Sequence, residues 1–372
     1  MNIPLKSARP EKLRRAPLGW KRWARLALPS MLAAVGCSPT PPEHATPAAL
    51  THEAQTSGTD ARLIAVSPVN EQVVWVSGAR GTWLRTTDGG ATWHGGQVPG
   101  ADSLQFRDVQ GVDANTAYLL SIGPGEQSRI YKTTDAGATW TLQLRNELPA
   151  GFFDCFSFWD AERGIGIGDA IGTDLFVIIT EDGGAHWERI PYGNLPEALA
   201  GEGSFAASGT CVVTRPGGLA WMVSNNKEHA RILRTADFGR HWTVDALPVT
   251  TRDGVGAQSV AFRDDLHGIV LSGGYASQPT DTGSAFTEDG GNSWTVRARP
   301  PLASGVWGGV YVPGARTPVV VAVGPAGSVY SRDDGRSWIA IDTLNYWSVG
   351  FASPRAGWAV GEGGRIVRLG GF

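Results

Sequence analysis

One eight-residue stretch, Thr86-Thr87-Asp88-Gly89-Gly90-Ala91-Thr92-Trp93, returns five more times along the chain, with copies ending at Trp140, Trp187, Trp242, Trp294 and Trp338. The shared pattern is a Thr or Ser, an Asp two places on, a Gly two places after that, and a closing Trp. Thr or Ser precedes the Trp in four copies; His186 and His241 stand there in the other two. An Asp side chain can accept the backbone N–H groups just beyond it, and a Gly can take positive φ, so each copy caps its own tight turn. The Trp that follows opens a strand with a large apolar surface and an indole N–H that seeks a carbonyl. Asp88, Asp135, Asp182, Asp237, Asp289 and Asp333 are therefore expected to be structural turn residues, and Trp93 with its five counterparts structural pins. Gly-rich turns also bind phosphate or Ca²⁺, but none of the six has the alternating Asp ladder of a calcium loop.

The Trp positions are 47, 47, 55, 52 and 44 residues apart. Four short strands with their turns take roughly 40–50 residues. A period of that size in a chain with 50 Gly and no helical pattern points to propeller blades rather than a sandwich. In the second repeat the four strands are expected at 103–109, 116–122, 129–134 and 139–145. After the sixth copy come three more strands, at 346–352, 357–361 and 365–369, and then the chain stops. Three strands would leave an open edge. The segment 49–57 lies just ahead of the first inner strand (62–67) and is expected to supply the fourth. The fold class that follows is all-β, a seven-bladed propeller over 48–372 closed by an N-terminal strand.

At these turns the sequence resembles the Asp-box propellers, and most closely the family related to photosystem II assembly and stability factors. Sialidases and sortilin-type receptors share the box and are more distant. The resemblance covers nearly the whole chain after its leader and implies a fold and a binding role, without specifying a ligand.

Residues 1–36 hold eight Lys and Arg, then an apolar run at 26–35, then Gly36-Cys37. That is the layout of an export signal, and its apolar run is too short for an ordinary transmembrane helix. The small residues before Cys37 resemble a bacterial lipobox, with Ala34 where Leu is more usual, so Cys37 is the candidate for lipidation and for the mature N-terminus. Residues 37–47, with Pro39, Pro41, Pro42 and Pro47, form an extended tether. The expected setting is a periplasmic or outer-membrane lipoprotein of a bacterium, monomeric and held to the membrane by lipid. The leader carries eight of the 32 basic residues but only Glu11 of the 35 acids, which leaves 24 bases against 34 acids beyond it. An acidic body is a poor partner for nucleic acid.

In a propeller the second-to-third strand turns and the links between blades share one face, and here that face carries the long irregular segments: 123–128, 168–174, 190–203, 225–230 and 275–283. Loops on a rigid scaffold are where binding usually sits. Residues at the starts of inner strands point to the channel mouth on that face: Arg107 with Asp108, Asp154, Ser204, Gln258, Trp307, and Tyr346 with Trp347. Asp169, Asp174 and Glu202 join them from loops. No metal or cofactor site is expected, since the histidines are scattered and no catalytic or phosphate-binding motif occurs. Cys155 and Cys211 fall at nearly equivalent inner-strand positions of neighbouring blades; a bridge is open to them, but buried free thiols are the expectation.

Two function classes fit. The first is a binding or assembly scaffold that holds a protein or peptide partner on the loop face. The second is an enzyme, sialidase-like or oxidoreductase-associated. Against a sialidase, the one Arg-Ile-Pro motif, Arg189-Ile190-Pro191, follows the third box instead of preceding the first. A carboxylate pair such as Asp169 and Asp174 would serve hydrolysis only across a pocket at roughly 5–9 Å.

Overall fold

The computed structural model describes residues 50–274 and 283–372. The leader, Cys37 and the tether lie outside the described residues, as does nearly all of the loop 275–283. Seven four-stranded antiparallel sheets follow one another along the chain. The second blade runs Gln105–Gly111, Ala117–Ile122, Arg129–Thr133, Thr141–Arg145, within two residues of expectation at every end. In the seventh blade Ser348–Ser353, Ala356–Val360 and Ile366–Gly370 are completed by Thr51–Gln55, which pairs antiparallel with the last strand from Thr51↔Gly370 to Gln55↔Ile366. The ring is thus a seven-bladed propeller closed by its N-terminal strand.

All six repeated turns have the same wiring. The Thr86 hydroxyl accepts the Gly90 N–H at 2.9 Å and donates to Asp88 Oδ1 at 2.7 Å, and Asp88 Oδ1 accepts the Thr92 N–H at 2.9 Å. Its other oxygen takes the Thr92 hydroxyl at 2.6 Å, a place filled by the rings of His186 and His241 in their copies. Each turn needs two successive residues at positive φ, as at Gly89 (72°) and Gly90 (90°). Ala136, Phe238 and Asp334 occupy the first of these places without being Gly, at 66°, 60° and 54°. Tertiary contacts hold the last two there: Arg163 stacks on Phe238, and Asp334 takes the Tyr311 hydroxyl and the Arg263 guanidinium. The Trp N–H finds a carbonyl in three copies, at Gly239, Gly291 and Ala298, and the Gln55 side chain in the first. Trp140 and Trp187 bury theirs unpaired.

These turn carboxylates titrate low. The His186 N–H, then its ring, hold Asp182 down at about 2 against an ordinary 3.8. A depressed acid stabilises the fold above its unfolded value and loses that contribution as pH falls through the folded one, so the turns should weaken between pH 4 and 2. Asp135, held low first by the Thr139 hydroxyl, accepts three such bonds. We expect Asp135→Ala to lower the melting temperature by several degrees at neutral pH and to leave partner capture intact; differential scanning fluorimetry beside a binding assay checks both.

The core lies between blades. Trp75 of the first blade is fully buried and packs with Trp83 of its own blade and Trp140 of the next. At the closure, Trp358 and Val360 of the seventh blade share a cluster with Leu63, Val74 and Leu84 of the first.

Candidate functional site

The first finding is a plug. The inner strand of the fourth blade starts only at Val212, and the residues ahead of it run across the axis of the ring. Ser208 donates to Trp307 O of the sixth blade at 2.7 Å and accepts through its own carbonyl from Ser348 of the seventh. On the other side Arg107 of the second blade bonds Ala206 O at 2.8 Å, and Asp108 packs against Gly209, where an added Cβ would stand 2.1 Å from its Oδ1. A segment held by blades other than its own closes the channel. It leaves a cavity of about 230 Å³ on the loop side, floored by Phe205, Ala206 and Ala207.

The walls of that cavity come from one repeated backbone device. Inner strands of the second, third and fifth blades each carry a bulge, at Arg107, Asp154 and Gln258, where one residue drops out of the ladder. A bulge re-aims the extra residue, and all three side chains line the cavity. Trp307 and Trp347, just ahead of the inner strands Gly308–Tyr311 and Ser348–Ser353, complete the wall with rings 4.4 Å apart. The Arg107 guanidinium lies 4.7 Å from the Trp347 ring centre and bonds Gln105 as well as the plug.

Two carboxyls share the cavity. Asp154 is 1% exposed and its Oδ2 has no partner; the Gln258 Oε1, in a residue 2% exposed, has none either. Burial, and then the neighbouring Asp169 charge, push the Asp154 carboxyl well above the usual range against the pull of the Ser204 N–H. Burial lifts Asp169 to about 6, opposed by the same amide. Room for Asp169 depends on Gly203, where a Cβ would stand 1.8 Å from its Oδ1.

Arg107, Asp154, Asp169, Ser204, Gln258, Trp307 and Trp347 are therefore brought together as expected. Ser204 reaches the site from the plug and not from an inner strand. Four expected residues lie elsewhere. Asp108 is buried below the plug, accepting the Val109 and Phe156 N–H groups, while burial raises its carboxyl. Glu202 is fully used inside the fold by the Leu199 N–H, the Ser224 hydroxyl and Arg231. Asp174 does not face Asp169 across the cavity: strands extend to Ile171 and resume at Asp174, so the expected loop 168–174 shrinks to a two-residue turn. The Asp174 backbone forms an antiparallel β-bridge with Glu197 instead. Tyr346 is buried, with its hydroxyl on Asp342. The free-thiol expectation is corrected as well. Cys155 and Cys211 form a disulfide between the third and fourth blades, with Cα atoms 6.1 Å apart, inside the range a bridge requires.

Sequence reasoning missed Phe205, Ala206 and Ala207, because a short apolar run ahead of a strand looks like the start of that strand.

No family model matches the chain. Among curated proteins it is similar to the photosystem II assembly protein Ycf48 of a Synechococcus species, 24% identical over 316 residues covering 79% of this chain and 80% of that one. It is 25% identical to the photosystem II assembly lipoprotein Ycf48 of a Picosynechococcus species, with the same coverage of both chains. Among solved structures, YCF48 bound to D1 peptide superposes with a TM-score of 0.60 at 20% identity, over 86% of this chain and 96% of that one. The GH74 xyloglucanase of Xanthomonas campestris gives 0.61 at 15% identity over 86% of this chain and 53% of its own, a likeness of fold. By sequence and fold together, the chain is a seven-bladed propeller similar to the photosystem II assembly factors.

Proposed function

We propose that this protein is an exported, lipid-tethered scaffold that holds a segment of a protein partner at the loop-face mouth of its plugged channel. The observation that carries this reading is the cavity itself. Seven residues from five blades and the plug converge on a space smaller than the roughly 300–1,000 Å³ typical of small-ligand pockets. Such a space suits one side chain of a longer chain laid across the face. The structural relative solved with a D1 peptide supports a peptide partner, and the relative named a lipoprotein supports the tether at Cys37.

An array of 15-residue peptides from exported proteins of the source bacterium tests the binding role. Selected sequences should be captured by the intact protein. Arg107→Ala combined with Trp307→Ala should weaken that capture at least tenfold while the ring stays folded, since Arg and Trp commonly anchor interfaces and neither lies in a turn motif. Capture that survives the double substitution would place the partner elsewhere.

The tether makes its own prediction. Cys37→Ser should move the protein from the membrane pellet to the soluble fraction, because acyl lipid is the strong anchor in this reading. Unchanged fractionation, with an unmodified Cys37 by mass spectrometry, would leave plain secretion.

A further inference from the structure

We infer that the cavity at the channel mouth takes the cationic end of a Lys or Arg side chain. This rests on the scaffold reading above and specifies what the held segment must contain.

Two buried oxygens of residues lining the cavity are unpaired, Asp154 Oδ2 and Gln258 Oε1, and the Asp169 carboxyl stands beside them; a cation brought there favours ionisation of the Asp154 carboxyl, which burial and Asp169 otherwise hold protonated. The indole and guanidinium donors along the wall are engaged within the protein. Trp307 Nε1 bonds Gly274 O at 3.0 Å, Trp347 Nε1 bonds Glu362 at 3.2 Å, and Arg107 holds Ala206 O and the Gln105 side chain. A guest that fits must bring N–H groups, because a buried acceptor left unpaired is costly. An ammonium offers three donors and a guanidinium five, against one from a hydroxyl and two from an amide. The Trp307 ring adds a surface that attracts cations, the Trp347 ring already carrying the Arg107 and Arg62 guanidiniums. Size agrees, since about 230 Å³ holds a single side chain and lies below the roughly 300–1,000 Å³ of pockets for drug-sized ligands.

Charge sets the pH response. The groups facing the guest are Asp154, Asp169 and Arg107; behind Trp347, Arg62 stacks on the ring and pairs with Glu362. A cation favours the ionised Asp169, whose free carboxyl titrates near 6. Affinity is therefore full above that value and falls as pH drops through it, by about tenfold between pH 8 and pH 5.

The test uses the full chain and blocked pentapeptides with one central residue among glycines: Lys, Arg, acetyl-lysine, Met or Glu. Binding is read from the indole N–H resonances of Trp307 and Trp347, assigned with Trp307→Phe and Trp347→Phe. The Lys and Arg peptides should bind at least tenfold more tightly than the other three, with the pH step above. Asp169→Asn should remove both the preference and the step, and Gln258→Leu, which leaves both carboxyls in place, should weaken Lys binding and keep the step. Equal binding of Lys and acetyl-lysine peptides, or an unchanged pH profile in Asp169→Asn, overturns the inference. If array peptides bind without regard to Lys or Arg, this inference falls and the scaffold reading stands. If the Lys peptide binds at the mouth but no array peptide does, the scaffold reading falls instead.

Discussion

Deleting residues 50–57 should destabilise the ring by on the order of 3–6 kcal/mol, at about 1 kcal/mol per lost hydrogen bond. The deleted strand is mostly exposed, so its contribution comes from pairing and not from apolar burial. Five residue pairs to Ile366–Gly370 are lost. So are the Gln55 bonds to Gly89 O and Trp93 Nε1, which tie the first turn motif to the seventh blade, and the His52 contact with Asp342. The bared edge is also a template for association between chains. Urea denaturation of chains starting at 48 and at 58 measures the difference; coincident midpoints would mean that the ring closes without this strand.

The disulfide should matter nearly as much. Cys155 and Cys211 close a loop with a sequence separation of 56, and the chain-entropy relation assigns such a loop about 4 kcal/mol. Both cysteines are fully buried where the third and fourth blades meet, at the base of the plug. Cys155→Ser with Cys211→Ser should therefore lower unfolding free energy by about that amount under oxidising conditions, with no difference from wild type once a reductant has fully opened the bridge. An equal midpoint for the oxidised wild type and the double variant would show that the bridge contributes no stability.

Local chemistry made the ring legible. A Thr, an Asp and a Gly at fixed offsets close a turn with bonds inside eight residues, so six turns and the blade length could be read directly. Closure followed because a three-strand remainder at one end and an unassigned segment at the other complete one sheet. The starts of the inner strands pointed to Arg107, Asp154, Gln258, Trp307 and Trp347 for a similar reason, since topology fixes which strand end faces the mouth. What stayed hidden depends on contacts between distant blades. Nothing within Gly203–Thr210 reveals that Ser208 bonds the sixth and seventh blades. The partner of Asp169 proved to be Asp154, 15 positions earlier on the neighbouring strand, and not the nearby Asp174. Glu202 looked like a loop acid and is neutralised by Arg231, a pairing visible only once the fourth blade is built.

Hydrogen–deuterium exchange on the protein with and without a peptide selected from the array tests most directly whether the plugged mouth is the binding surface. Slowed exchange should concentrate on the plug at 204–208 and on the inner-strand starts around Arg107, Asp154, Trp307 and Trp347, with the turn motifs unchanged. Slowed exchange at the turn motifs on the opposite face, with the plug unaffected by saturating peptide, would contradict it.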